Sequence, residues 1–112
     1  MKSILTTIKK MLGIDEEYEH FDTDIIININ TIFTMLNQLG VGPPKGFSIQ
    51  GKTEEWSDYI NDEENIESIK TYIYLRVRLL FDPPTNSFLV EAIKGQIAEI
   101  EWRLNVQAEG GK

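Results

Sequence analysis

An Asp82-Pro83-Pro84 step divides the most strongly patterned part of the chain, Tyr72 to Asn105, into two helices. A residue before proline avoids helical angles and proline itself lacks the N–H donor, so the first helix must stop here. Thr85 or Asn86 can cap the second. The upstream helix is expected from about Glu63 to Phe81, after a cap at Asn61 or Asp62, with Glu63, Glu64 and Glu67 near its positive end. Ile66, Ile69, Ile73, Val77 and Leu80 form one stripe, widened by Tyr72, Leu75 and Leu79. A helix apolar nearly all round is a buried one. Arg76 falls inside the apolar arc. Its stem can pack while its head reaches water, or Arg76 or Arg78 can make an ion pair within the fold or across a subunit contact.

The downstream helix, expected to end near Asn105, has two faces that want burial. On a helical wheel Leu89, Ile93, Ile97, Ile100 and Leu104 fall within about 80° of arc, the expected core stripe. Trp102 lies roughly opposite, with Phe88, Gly95 and Ala98 beside it and Glu91 between them. Small residues flanked by aromatics let a second helix approach closely, and aromatics are enriched at interface cores. Phe88, Gly95, Ala98 and Trp102 are therefore expected at a subunit contact. The other reading is that the N-terminal helix or a loop of the same chain wraps Trp102.

The remaining pattern is also helical. Met1 to Leu12 is expected as a short amphipathic helix ending at Gly13, with its lysines interrupting the apolar run that a signal peptide needs. Asp22 or Thr23 can cap a helix to about Leu39, where Ile25, Ile29, Ile32, Leu36 and Leu39 form a stripe widened by Ile26 and Phe33. A Gly/Pro-rich loop from Gly40 to Lys52 allows one short extended segment at Phe47 to Ile49. Thr53 can cap a brief helix carrying Trp56, Tyr59 and Ile60. The expected fold is a single all-α domain over residues 1–112, a compact bundle of four to five helices, with 106–112 as a mobile tail.

Composition bounds the function. The chain has no cysteine and a single histidine, His20, so neither a thiolate nor a histidine-cluster metal site can form. Asp15, Glu17 and Glu19 begin like a calcium loop, but His20 stands where that loop needs glycine. The stretch Gly40 to Gly46 has the glycines of a phosphate cradle, but Pro43 and Pro44 remove N–H groups and no helix opens after it. Pro43, Pro44, Lys45 and Phe47 are instead expected as a loop contact. No catalytic residue, cofactor or metal is expected. No apolar run is long enough to span a membrane. The net charge of −7 disfavours binding to free nucleic acid. Six acids lie from Asp15 to Asp24 and seven from Glu54 to Glu67, as solvated helix starts or as a surface that repels passing DNA. Glu54, Glu55, Glu63 and Glu64 are the candidates for such a lining.

Three segments resemble the small head–tail connector, or adaptor, proteins of tailed bacteriophages and prophages of Gram-positive bacteria. They are HFDTDIIININTIFTMLNQLGVGP from His20 to Pro43, YIYLRVRLLFDPPTNS from Tyr72 to Ser87, and EWRLNVQAE from Glu101 to Glu109. The resemblance implies a non-enzymatic virion subunit in a ring, usually dodecameric, between the portal and the next neck protein. Such a ring extends the DNA channel and gives the tail a docking surface. The implied partners are further copies of the chain, the portal, a stopper or tail-completion protein, and double-stranded DNA passing without specific binding. The implied location is the virion neck, with the host cytoplasm during assembly. Val106, Gln107, Ala108 and Glu109 are the expected portal-docking tail, ordering on contact. Two other roles fit the residues: a stopper or tail-completion protein of the same neck, or a small phage-encoded regulatory protein.

Overall fold

Helix α4 (Ile66–Phe81) is the element around which the others gather. In the computed structural model, which describes residues 3–61 and 65–110 without the side chains of 109 and 110, it follows α1 (Ile4–Met11), α2 (Asp22–Gln38) and α3 (Trp56–Tyr59), and precedes α5 (Ser87–Gly110). The fold is the expected all-α bundle. α4 packs against α1, α2 and α5, and α1 also packs on α2. Ile69, Tyr72, Ile73, Leu75 and Val77 of α4 are buried against Ile25, Ile29, Ile32, Phe33 and Leu36 of α2, which is the stripe that periodicity predicts.

The helix ends refine the sequence boundaries. Ser3 caps α1, its hydroxyl accepting from the Thr6 N–H at 3.3 Å, and Gly13 takes the left-handed turn (φ 80°) that ends it. α2 begins at Asp22, with Phe21 at the cap, so neither Asp22 nor Thr23 caps it. The Asp22 carboxylate is engaged elsewhere, 2.8 Å from Lys9 Nζ. The expected Thr53 cap gives way to a reciprocal capping box of Glu55 and Asp58, in which the Asp58 carboxylate accepts from the Glu55 N–H at 2.8 Å. The chain leaves α3 extended at Ile60 (φ −158°), and the described α4 starts at Ile66 behind Asn65. Asp62, Glu63 and Glu64 lie outside the described residues. Asn86 caps α5, its side-chain oxygen accepting from the N–H groups of Phe88 and Leu89 at 2.8 and 3.3 Å.

α5 also outruns its expected end near Asn105, continuing to Gly110. Ala108 explains the extension. It follows Leu104 by one turn and packs against the Gly40 backbone, where a β-carbon would lie only 3.1 Å from its own. No strand occurs among the described residues, and the expected extended piece at Phe47 to Ile49 stays irregular. Its pairing comes from a side chain: Asn30 donates to the Ile49 carbonyl at 2.9 Å and accepts from the Ile49 N–H at 2.7 Å. The amide of Asn30 does for one residue what a neighbouring strand would do for a row.

Lys9 is the least expected core member, at 2% exposure. Its ammonium donates to the carbonyls of Glu16 (2.9 Å) and Tyr18 (2.8 Å) besides pairing with Asp22. Three oxygens offset the desolvation of one buried charge, and together they lash the acidic α1–α2 connector to the bundle. Trp56 ties α3 to α1 by donating to the Thr7 hydroxyl at 3.0 Å.

Candidate functional site

α5 presents the open face that the sequence anticipates. Phe88 is 85% exposed and Trp102 67%, and Gly95 and Ala98 between them are exposed too. A β-carbon built on Gly95 meets nothing within 4 Å. Wrapping of Trp102 by the chain's own N-terminal helix does not occur, because α1 packs on α2 and α4. On the inner side Ile93, Ile97 and Leu104 are buried and Ile100 is half-buried, but Leu89 is 52% exposed and leaves the predicted core stripe. Leu80 of α4 departs in the same way, at 58%. Both flank the Asp82-Pro83-Pro84 turn, one near the end of α4 and the other near the start of α5.

Arg76 joins the two helices inside one chain. Its guanidinium pairs with Glu101 of α5 and donates from Nε to the Tyr72 hydroxyl at 2.8 Å, while Tyr72 donates to the same carboxylate at 2.7 Å. Burial by itself would raise the Glu101 carboxyl, but the hydrogen bonds and charge of its partners outweigh it and hold the group below the ordinary glutamate value. Burial, with the bond to Glu101, pushes the Tyr72 hydroxyl up to about 12. Arg78 donates to the Tyr74 hydroxyl at 3.3 Å. The triad is a strut between α4 and α5.

A second apolar patch escapes the sequence reading. Ile27, 57% exposed, stands with Leu80 at a cleft of about 350 Å³ floored by Phe21 and Phe81, whose rings meet edge to face at 5.1 Å. Asp24 and Asn28 line its rim. The isoleucine alternation at 25, 27 and 29 contains the signal, because on a helix Ile27 falls opposite Ile25 and Ile29.

The loop candidates are held in place. Phe47 packs on Phe33 and Tyr59, both at 5.3 Å between ring centres, so its ring serves the core. Asn37 donates to the carbonyls of Pro43 and Pro44 at 3.1 and 3.4 Å. Gly42 has φ 89°, and a β-carbon there would lie 2.6 Å from the Tyr59 ring. Lys45 and Pro44 remain exposed. Burial raises the pKa of Tyr59, whose hydroxyl has no hydrogen-bond partner among the described residues.

In the segment expected to dock a portal, Val106 and Gln107 are exposed, Ala108 is half-buried, and the Glu109 side chain lies outside the described residues. Of the candidate lining acids, Glu54 accepts from the N–H groups of Gln50 (2.8 Å) and Gly51 (3.4 Å), and Glu55 belongs to the α3 capping box. Both therefore have local structural duties. Among the described residues no three His, Asp or Glu gather to hold a metal ion, and no helix is long and apolar enough to cross a membrane.

No curated protein and no solved structure matches the chain. Residues 4–111, nearly the whole sequence, match the family described as phage connector protein. The chain belongs to the phage connector protein family and has a structural role in the phage neck.

Proposed function

We propose that the chain is the adaptor subunit of a head–tail connector. Copies of it form a ring, dodecameric by the resemblance, beneath the portal; the ring extends the DNA channel and offers the tail its docking surface. The observation that carries this reading is the outer face of α5: a member of a connector family leaves Phe88 and Trp102 largely in water. An exposed aromatic pair around the small residues Gly95 and Ala98 suits burial by a further protein chain. The exposed end of α5 at Val106 and Gln107 is the portal-facing segment in this reading, and Pro44 and Lys45 are the loop atoms available to a ring neighbour. Arg76 is spent within the subunit, on Glu101.

The net charge of −7 supports a channel that lets DNA slide, since clustered positive charge would hold the phosphates. Glu63→Lys with Glu64→Lys tests a lining role, because changes at Glu54 or Glu55 would release the bonds those side chains make. Slowed DNA ejection is the expected result, and unaltered packaging and ejection would exclude these acids from the lumen. The neck assignment itself is tested by electron microscopy of assembled particles carrying labelled protein. Label between portal and tail is expected, and label anywhere else would overturn it.

A further inference from the structure

We propose that the outer face of α5 in one copy seats on the Ile27–Leu80 cleft of the next copy, with Trp102 entering the cleft and Arg103 meeting Asp24. This rests on the ring reading and gives that ring its contact. The chain has two uncovered apolar patches. α4 packs against both α2 and α5, and no comparable packing joins α2 to α5. The patches thus sit on different elements, one on α5 and the other across α2 and α4. Two different complementary surfaces on one subunit make a head-to-tail contact, which forms a ring where the rotation closes; a single self-complementary patch would close a pair and stop.

Shape and charge favour this partner. The α5 face is exposed at Phe88 and Trp102, whereas Ile27 and Leu80 border a recess lined by the rings of Phe21 and Phe81. The Asp24 side chain makes no hydrogen bond or ion pair among the described residues, and it follows an acidic connector. The α5 face carries Glu91, paired with Lys94 at 3.6 Å, and the exposed pair of Glu99 and Arg103 at 2.8 Å, whose arginine Asp24 would share. In a chain of net charge −7, this face can approach an acidic cleft without like-charge repulsion. The contact is small. An aromatic side chain buries about 150–250 Å², so Trp102 and Phe88 fall short of the roughly 800 Å² per partner of a standard interface. One contact is accordingly weak, and ring closure, which holds every copy at two contacts, makes it stable.

The chain has no cysteine, so thiols can be introduced without background. Particles carrying Ile27→Cys together with Trp102→Cys, treated with a short bifunctional thiol cross-linker, are expected to give a ladder of dimers, trimers and higher species. Either substitution alone should give monomer. A dimer from Trp102→Cys alone would indicate a two-fold contact and overturn the proposal, as would an unlinked double variant present at normal copy number. Should the cysteine variants fail to enter particles, charge reversal decides. Asp24→Arg is expected to lower incorporation about ten-fold or more by setting like charges together, and adding Arg103→Asp should restore it. Absence of restoration would overturn the contact while leaving the neck assignment intact. Particles lacking the labelled wild-type protein would overturn both.

Discussion

α2 and α5 spend their residues differently. α2, with 17 residues, buries five side chains, while α5, with 24, buries only Ile93, Ile97 and Leu104 among the described residues. The shorter helix gives most of its apolar residues to the subunit's own core. The longer one uses one face for the subunit and leaves the other exposed. Stability and assembly should therefore be separable by mutation, which can be tested at several depths.

The largest effect is expected inside. Ile32→Ala in α2 should cost about 2–5 kcal/mol in chemical denaturation, through lost burial and the cavity left behind. A loss below about 1 kcal/mol would mean that the α2–α4 seam is less tightly packed than its full burial indicates. Next comes the loop. Gly42→Ala forces a side chain into left-handed backbone and against the Tyr59 ring, and should cost about 2–3 kcal/mol. Gly46→Ala, at φ 88° with open space around it, should cost about 1 kcal/mol from backbone strain alone. Equal losses at the two glycines would remove the Tyr59 contact from the account.

At the α4–α5 strut the effect is smaller and depends on pH. Glu101→Gln should cost no more than about 1 kcal/mol at neutral pH, since the pair is partly open to solvent. The Glu101 pKa is lowered by folding, so its stabilisation is complete above the unfolded value of 4.5 and disappears as pH falls through the lower folded value. The wild type should lose stability faster than the variant as pH drops below 4.5, as thermal melts across that range would reveal. Parallel curves would refute the strut's electrostatic part.

Outside, the thermodynamic effect should nearly vanish. Trp102→Ala should change the stability of the free chain by about 0.5 kcal/mol or less. Gly95→Ala should raise it by about 0.5–1 kcal/mol, because alanine favours an exposed helix interior. Both should nevertheless lower incorporation into particles, measured by quantitative blotting. A strongly destabilising Trp102→Ala would mean that the outer face serves the fold after all.

What the sequence made legible follows the same division. The α2 stripe was readable because its cover runs the full length of the helix. Leu80 and Leu89 were misread as core because a wheel gives a side chain's bearing and says nothing about where the neighbouring helix ends. The outer face of α5 was readable as a surplus of apolar residues. Its counterpart at Ile27 and Leu80 was not, since it joins the start of α2 to the end of α4. Arg76 pointed to an ion pair, but Glu101 lies on the next helix and only the fold selects it from many acids. Lys9 looked like one more surface charge because its ligands are backbone carbonyls, which no side-chain pattern records.

Those carbonyls carry a consequence for how the connector can change over generations. Lys9 grips the α1–α2 segment at the main-chain oxygens of Glu16 and Tyr18, atoms that every amino acid supplies. The grip itself is therefore indifferent to the side chains at 16 and 18, whereas it needs Lys9 and Asp22. This stretch of the subunit is thus free to be rewritten to suit a new neighbour while its path over the bundle stays the same.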